Sequence, residues 1–441
     1  MTVPSTPTPA AAPAPATGSA TAAASAAAPA SAPAAGSQPV VTTDQRLPAA
    51  TILGYPCAGP GRELERALES YWQGALDEAG LRQQAARLRQ ATRAHLRDLG
   101  LHGAGVPADF TYGDQLLQVT CAFGALPRRF AGLRGTAAAG HPGTSLLGLL
   151  TAARGQGEQA ALQVTTWPDA GGRYSVPELS PETLIDYVPG FGAVDPTDGP
   201  VAQVLEAAAG GEEPPRPVVV GPVTYLLLAQ AADGAAAGFR PLDRLDGLLH
   251  AYGHLLADLW AAGASWAQLD EPALVDGAWD LPRTQVLDVA HRAYTWLAAI
   301  TERPQLLVAA GPGPLGEALP VLARTEVEAL ALDLVAGPPP QPEDLARLGG
   351  RTLVAGVVSG RSASRSDLAA ALGTLQALRA QLPGEARLVV ATASSLQHPP
   401  HERSGDAGAA QDLRSWLAAA DQKVQEVQAL ATALEQDRGL I

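Results

Sequence analysis

The chain has 441 residues, of which 46% are hydrophobic, and a formal net charge of −14. This length and apolar fraction suffice for a large core in one or two domains. The acidic balance and the lack of a basic run argue against a nucleic acid partner, because phosphate binding needs a basic face. No stretch approaches the roughly 18 uninterrupted apolar residues of a membrane span, and two cysteines cannot build a disulfide framework. We therefore expect a cytoplasmic protein without membrane contact.

The first 48 residues are dominated by Ala, Pro, Ser and Thr, and Asp44 is the first charged side chain among them. Such a segment has little to bury beyond alanine methyl groups, so it predicts a disordered tail. It carries neither the basic start and bulky apolar core of a secretory signal nor the arginines of a transit peptide. We predict a tail over residues 1–48 and one folded domain over residues 49–436.

Eight short apolar runs follow the tail, most of them ending in Gly, Pro or Asp, and segments with helical spacing lie between them. One helical face combines Leu64, Leu68, Tyr71, Trp72 and Ala75, and a second combines Leu81, Ala85, Leu88 and Thr92. Strands that alternate with helices favour an α/β fold with a parallel sheet, and eight repeats favour a single (βα)8 TIM barrel with long loops. The runs are ATILGYP from Ala50, GAGVPAD from Gly103, PVVVGP from Pro217, WAQLDEP from Trp266, QLLVAAGPG from Gln305, ALALDLVAG from Ala329, TLVAGVVSG from Thr352 and LVVATAS from Leu388.

The run WAQLDEPALV delivers two adjacent carboxylates, Asp270 and Glu271, at the end of a predicted strand. In a (βα)8 barrel the active face lies at the carboxyl ends of the strands. We therefore predict that both side chains line a ligand pocket. The alternative is a loop cap or a helix N-cap, which acidic side chains also provide.

Four further residues are candidates for a functional site. His250 and His254 have a metal-binding spacing of four, but no glutamate lies between them and no cysteine is near, which favours an ordinary helix surface. Cys57 follows the first strand and is either a nucleophile or a plain small residue, since no activating base is marked nearby. His398 follows the last strand and could donate a proton or a hydrogen bond at the rim.

Several separated segments occur in an order that closely resembles the amino-terminal half of cobalamin-independent methionine synthase. The similarity runs from about Thr51 to about Leu434. The segments are LGYPCAGPGRELERALESYWQG from Leu53, GPVTYLLL from Gly221, WAQLDEPALV from Trp266, SGRSASRSDL from Ser359 and LRSWLAAADQKVQEV from Leu413.

The resemblance implies two face-to-face (βα)8 barrels and methyl transfer from 5-methyltetrahydrofolate polyglutamate to homocysteine. In that family the carboxyl-terminal barrel holds the zinc that binds homocysteine as a thiolate, and that barrel is not in this chain. The corresponding strand ends read here as Ala309 and Ala310, then Asp333, then Ser394, and only Asp333 could ligate a metal. We therefore expect this chain to bind no zinc or other cofactor, and we expect zinc only in the missing barrel.

The resemblance also implies folate contacts, because the family grips the glutamate tail with an Arg-Glu-Leu-Lys segment and a second lysine before a tryptophan. Here the segment ends in Glu65, and Thr166 precedes Trp167, so two cations are lost. An arginine usual after the first strand is Cys57. The remaining candidates for binding folate or a small acid are Arg62, Glu63, Arg66, Trp167, Asp270, Glu271 and His398.

Three readings stay open. In the first reading, the chain is the amino-terminal component of a split synthase that works with a separately encoded zinc barrel and is inactive alone. Alternatively, it is a divergent, non-catalytic barrel that binds a folate or another small acid at Asp270 and Glu271. In the third reading it is a freestanding enzyme of the wider barrel superfamily, but the sequence supplies no complete set of acid, base and nucleophile around Asp270.

Overall fold

The computed structural model describes residues 46–136, 142–166, 172–187, 197–275, 279–397 and 406–437. Residues 1–45 of the predicted tail lie outside the described residues. Leu47 is fully buried and packs in one cluster with Leu53 and Trp266. The packed chain therefore begins before the predicted domain boundary at residue 49.

The described residues contain fourteen strands. They are β1 (Ala50–Thr51), β2 (Pro107–Ala108), β3 (Arg134–Thr136), β4 (Pro142–Thr144), β5 (Val164–Thr166), β6 (Arg173–Ser175), β7 (Glu178–Leu179), β8 (Arg216–Val220), β9 (Gln230–Ala231), β10 (Trp266–Asp270), β11 (Gln305–Ala309), β12 (Ala329–Asp333), β13 (Thr352–Val358) and β14 (Arg387–Thr392).

Twelve α-helices lie in the same described ranges. They are α1 (Glu63–Trp72), α2 (Glu78–Asp98), α3 (Gln115–Ala122), α4 (Leu146–Arg154), α5 (Pro200–Ala209), α6 (Pro222–Leu228), α7 (Leu245–Ala261), α8 (Arg283–Ala298), α9 (Ala318–Leu322), α10 (Pro342–Arg347), α11 (Leu368–Gln381) and α12 (Asp406–Gln436). No helix in these ranges is both long and apolar enough to cross a membrane.

The main sheet has the order β1-β14-β13-β12-β11-β10-β8-β2, and each adjacent pair is parallel. These are the eight predicted runs. The two strands at the ends of this order follow each other in the chain, and the Thr51 hydroxyl donates a hydrogen bond to the Gly105 carbonyl at 3.0 Å. The predicted α/β barrel is confirmed. Only Pro107–Ala108 of the run GAGVPAD is extended, because Gly103–Gly105 form a turn of 3-10 helix.

Burial explains why the strands read as apolar runs. All seven residues of β13 are buried, as expected for a parallel strand that packs on both faces. On α2 the predicted face is inward, since Leu81, Ala85 and Leu88 are buried. The face predicted for α1 is shorter than expected. Ala75 lies beyond the helix, which ends at Trp72 before Gly74 takes a φ of 74°.

The segment between β2 and β8 forms a long excursion from the barrel. It contains the antiparallel pairs β3–β4 and β5–β6, and β7 pairs in parallel with β9. In this segment α3 packs against β4, β6 and β8, α4 packs against α3, and α5 packs against β2 and β8. This excursion supplies the long loops that the sequence predicts.

Candidate functional site

Three aspartates lie at the carboxyl ends of barrel strands: Asp109, Asp270 and Asp333. Asp270 is the last residue of β10, and Asp109 directly follows β2. The Asp109 Oδ2 atom accepts a hydrogen bond from the backbone amide of Tyr55 at 2.8 Å, which ties it to the loop after β1. Asp270 Oδ1 accepts a hydrogen bond from the Gln268 side-chain amide at 2.7 Å. The strand ends therefore bring acidic groups to the barrel mouth.

A fully buried arginine lies deeper in the barrel. Arg216, the first residue of β8, donates from Nε to Gln268 Oε1 at 3.0 Å and from Nη1 to the Thr51 hydroxyl at 2.7 Å. Its other hydrogen bonds go to the backbone carbonyls of Ala104 and Ile52. The guanidinium thus contacts neutral acceptors, and the Gln268 amide connects it to Asp270.

Burial is the largest influence on the pKa values of Asp270, Asp109 and Arg216 at the mouth. It raises the pKa of Asp270 to about 7 and that of Asp109 to about 6, although the positive charge of Arg216 acts in the opposite direction. Burial also lowers the pKa of Arg216 to about 10, so this arginine stays charged at neutral pH. Both aspartates therefore exchange a proton close to neutral pH, which is common for groups that bind or transfer protons in a site.

Glu271 has a different environment from Asp270. Its buried carboxylate accepts hydrogen bonds from the backbone amides of Val223 and Thr224, at 3.1 and 2.7 Å, and from the Tyr294 hydroxyl at 2.7 Å. These amides belong to the first turn of α6. A Cβ atom at Gly221 would lie 2.2 Å from the Glu271 carboxylate, so glycine is needed there.

The structure therefore separates the two acidic side chains that the sequence places together. Consecutive residues of an extended segment point to opposite faces, so Asp270 joins the Gln268 side and Glu271 points to the helix layer. Glu271 takes the capping position that was the alternative prediction for this pair.

The predicted tail-binding residues Arg62, Glu63 and Arg66 share the start of α1, which follows the loop after β1. Arg62 forms an ion pair with Glu65. Arg66 Nη2 lies 3.9 Å from Glu63 Oε1, and both side chains are exposed. Each arginine that could bind an acidic ligand thus has a glutamate beside it. Trp167 and His398 lie outside the described residues.

The other residues weighed from the sequence have ordinary surroundings. Burial raises the pKa of the Cys57 thiol to about 11, which disfavours the thiolate that a nucleophile needs, and the Gln397 amide lies 3.9 Å from its sulfur. His250 and His254 are exposed on α7, where His250 Nδ1 lies 2.7 Å from the Asp246 carbonyl oxygen. The helix-surface reading fits this placement.

The residues present do not fit a zinc site. Asp333 Oδ2 accepts from the Gly313 amide at 2.9 Å, and its Oδ1 accepts from the amides of Val335 and Ala336 at 2.9 and 2.8 Å. Within the described residues, no group of three or more His, Cys, Asp and Glu side chains is arranged to hold a metal ion.

Sequence reasoning did not select Asp109, Arg216 or Gln268. Asp109 ends the second predicted run, so its place at the rim was visible from the strand pattern. Arg216 stands immediately before an apolar run, where a charged residue reads as a strand boundary. Only the barrel brings Arg216 to Thr51, which is 165 residues away in the chain.

Residues 49–383 match the family model described as "Cobalamin-independent synthase, N-terminal domain". The chain belongs to this family. A 5-methyltetrahydropteroyltriglutamate–homocysteine methyltransferase from Streptomyces griseus is 44% identical over 390 residues, which cover 87% of this chain and 47% of the relative. Enzymes of the same name from Rhodococcus jostii and Mycobacterium tuberculosis are 43% and 42% identical, and matches to them cover 48% and 47% of their lengths. The chain therefore spans about half the length of these curated relatives.

A solved structure supports the fold. A protein from Listeria monocytogenes that is described as a vitamin-B12-independent methionine synthase superposes with a TM-score of 0.53 at 12% sequence identity. The superposition covers 88% of this chain and 97% of that protein. At this identity the likeness concerns the barrel architecture alone.

Proposed function

We propose that this chain is the folate-binding half of a methyl transfer from 5-methyltetrahydropteroyltriglutamate to homocysteine. The observation that carries the proposal is the 42–44% identity, over nearly nine-tenths of the chain, to one half of enzymes named for these two substrates. Zinc would activate the homocysteine sulfur, because a thiol with an ordinary pKa near 8.5 is mostly protonated at neutral pH, and this zinc would belong to the other half of such an enzyme.

The barrel mouth supplies groups suited to the pteridine part of this ligand. The pyrimidine edge of a pterin presents neighbouring N–H donors, and a carboxylate accepts such a pair through its two oxygens. Asp270 and Asp109 are carboxyl groups at the mouth whose pKa values are raised to about 7 and about 6, and we assign ligand contact to Asp270. Glu271 acts as a positioning residue, since it holds the start of α6 next to this strand end.

The tail of the ligand carries several carboxylates, which arginine recognises through two parallel hydrogen bonds. Arg62 and Arg66 lie at the start of α1, which follows the loop after β1 at the rim of the barrel. Trp167 and His398 are further proposed contacts. Each paired glutamate must rotate away before its arginine binds a carboxylate, which weakens this contact.

That pairing favours the second candidate, a non-catalytic barrel that binds a smaller acid. Arg62 with Glu65 and Arg66 with Glu63 leave little net positive charge at α1. A ligand with one carboxylate would depend less on these cations than a triglutamate. The two candidates thus differ in how strongly affinity depends on tail length.

Calorimetric titration of the purified chain with 5-methyltetrahydropteroyltriglutamate, the monoglutamate and homocysteine tests the proposal. We expect the triglutamate to bind more tightly than the monoglutamate. Equal affinity for the two folates would favour the smaller-acid alternative. Absence of folate binding would overturn the folate assignment.

The assignment of Asp270 is tested by Asp270→Asn, which we expect to weaken folate binding roughly tenfold or more through loss of a charge-assisted hydrogen bond. Asp246→Asn is the matched control, because Asp246 is 78% exposed on α7. Unchanged affinity in Asp270→Asn, with an unchanged circular dichroism spectrum, would remove Asp270 from the site. Near-stoichiometric zinc in the purified, tag-free chain would contradict the placement of zinc in the other half of the enzyme.

A further inference from the structure

The only lysine of the chain is fully buried. Lys423 lies on α12 with 0% of its side chain exposed, and its ammonium pairs with Glu426 Oε2 at 3.1 Å. The same ammonium donates to the Ser364 carbonyl and to the Ser366 hydroxyl. Both acceptors belong to the segment Ser359–Asp367, which we call the β13 loop because it directly follows that strand.

The partner of the lysine holds the same segment. Glu426 Oε1 accepts from the Ser366 backbone amide at 3.2 Å and from the Gln422 amide at 2.7 Å. A buried ion pair contributes little net stability, because the cost of removing both charges from water offsets most of their attraction. The consequence of this pair is therefore conformational, since it fixes one arrangement of the β13 loop.

The β13 loop lies at the carboxyl rim of the barrel, beside the loop that follows β14. A Cβ atom at Gly360 would lie 2.4 Å from the Ser394 carbonyl oxygen, so glycine allows the two loops to touch. These are the loops after the seventh and eighth strands of the barrel. In many barrels this pair of loops forms the site for an anionic group.

Two exposed arginines, Arg361 and Arg365, lie on the fixed loop. Within the ranges that the structure describes, neither forms an ion pair with a carboxylate. The arginines of α1 differ, because Arg62 has Glu65 and Arg66 has Glu63. Among the described residues, the β13 loop therefore offers two uncompensated guanidinium groups at the rim, whereas Arg62 and Arg66 at the start of α1 are paired with glutamates.

We propose that the β13 loop, held by Lys423 and Glu426, binds carboxylates of the glutamyl tail through Arg361 and Arg365. Guanidinium groups bind carboxylates with two parallel hydrogen bonds, and a loop that is already ordered loses less entropy on binding. The inference rests on the proposed folate function and adds to it the place where the tail is held.

The direct test is the double variant Arg361→Gln/Arg365→Gln, titrated with 5-methyltetrahydropteroyltriglutamate, with its monoglutamate and with γ-linked triglutamate that lacks the pterin. We expect triglutamate affinity to fall roughly tenfold or more while monoglutamate affinity stays within about twofold. The control Arg87→Gln/Arg324→Gln removes the same charge from two other exposed positions and should keep the wild-type preference for the longer tail.

The outcomes separate the two proposals. Monoglutamate binding with an unchanged tail preference in Arg361→Gln/Arg365→Gln would overturn the subsite and leave the folate function standing. If the wild type binds no folate, binding of the pterin-free triglutamate that the double variant loses would still support the subsite. If the wild type binds neither folate nor triglutamate, both proposals fail.

A second variant, Lys423→Met/Glu426→Gln, removes the buried charges together. We expect its urea midpoint to stay close to that of the wild type, because the pair contributes little net stability. Its preference for the triglutamate should fall severalfold, since the arginines are then held on a loosened loop. A preserved preference would show that the pair does not position the loop for binding.

Discussion

The contact between α2 and α5 and the barrel mouth both contain buried charged side chains, and these charges are compensated differently in the two regions. Between α2 and α5 they form the α2–α5 ion-pair network, made of Arg89, Arg93, Glu206 and Glu212. Arg89 Nη2 lies 2.5 Å from Glu206 Oε2, and Arg93 Nε lies 2.6 Å from Glu212 Oε2. Burial acts to raise the pKa of Glu212, but hydrogen bonds and charges from Arg93 and Arg97 outweigh it, so this pKa is lowered.

At the barrel mouth, Arg216 forms no ion pair with a carboxylate of the described residues. Arg216 bonds to Gln268, to Thr51 and to backbone carbonyls, and the Gln268 amide stands between it and Asp270. The pKa of Asp270 is accordingly raised to about 7. Direct ion pairs between arginine and glutamate stabilise the packing of α2 against α5. At the mouth, the Gln268 amide separates Arg216 from Asp270, so the Asp270 carboxyl group is available to bind a ligand.

The largest effect should follow the loss of the buried guanidinium at the mouth. Arg216→Met leaves Thr51, Ile52 and Gln268 without their donor and removes the charge that offsets Asp109 and Asp270. We expect the free energy of unfolding to fall by about 3–5 kcal/mol. Urea denaturation followed by circular dichroism measures this change, with the exposed Arg87→Met as control. Equal midpoints for the Arg216 and Arg87 variants would show that the mouth needs no internal cation.

A smaller loss is expected in the α2–α5 network, because Glu206, one of the two carboxylates that pair with Arg93, is partly exposed. Arg93→Met should lower the free energy of unfolding by about 2 kcal/mol at pH 7. The lowered pKa of Glu212 means that its contribution is present above the ordinary value of 4.5 and is lost as pH falls through the folded value. The wild type and the variant should therefore converge in stability in acid. A constant difference from pH 7 to pH 3 would contradict pairing with Glu212.

For Asp270 at the barrel mouth we predict the opposite pH dependence of stability. The ordinary pKa of Asp270 is 3.8 and the folded one is about 7, so between these values the folded protein holds a proton that the unfolded chain lacks. Its contribution to stability therefore decreases as pH rises through this window. Asp270→Asn should raise the free energy of unfolding by about 1–2 kcal/mol at pH 8, and by nothing at pH 3.

Urea midpoints of the wild type and Asp270→Asn at pH 3, 5 and 8 measure this difference, and Asp246→Asn serves again as the exposed control. The variant should gain stability while it loses ligand affinity, a combination typical of a strained functional group. A loss of stability at pH 8 would place Asp270 with the compensated charges of the α2–α5 network.

The sequence predicts the barrel well because the strands are buried on both faces. Such strands appear as short apolar runs between glycines and prolines, and all eight runs became strands of the main sheet. Helix ends are harder to place, as Ala75 shows, because the stop at Gly74 depends on a single left-handed residue. The excursion between β2 and β8 was predicted only as long loops, since its strands have two or three residues.

The site was predictable in part. Asp270 follows from its place at a strand end, but the divergence of Glu271 depends on the orientation of α6, which no local pattern reveals. Arg216 and Asp109 come close to Asp270 only in the closed barrel. The position of the Gln268 amide between Arg216 and Asp270 likewise depends on the tertiary structure and is not visible in the sequence.

The smallest expected effect concerns the rim arginine that the structure pairs with a glutamate. Glu65→Lys removes the glutamate that pairs with Arg62 and introduces the lysine that the resemblance to the synthase family implies at this position. We expect about fivefold tighter binding of the triglutamate, from the loss of a repulsion of about 1 kcal/mol, and stability within about 0.5 kcal/mol of wild type. Glu69→Lys makes the same charge change one turn further along α1, at an exposed position. If both variants tighten binding equally, the gain reflects overall charge. A gain confined to Glu65→Lys would show that the glutamate prevents Arg62 from binding the ligand. Pairing with an opposite charge would then weaken ligand binding at this rim, just as pairing with arginines lowers the pKa of Glu212 in the α2–α5 network.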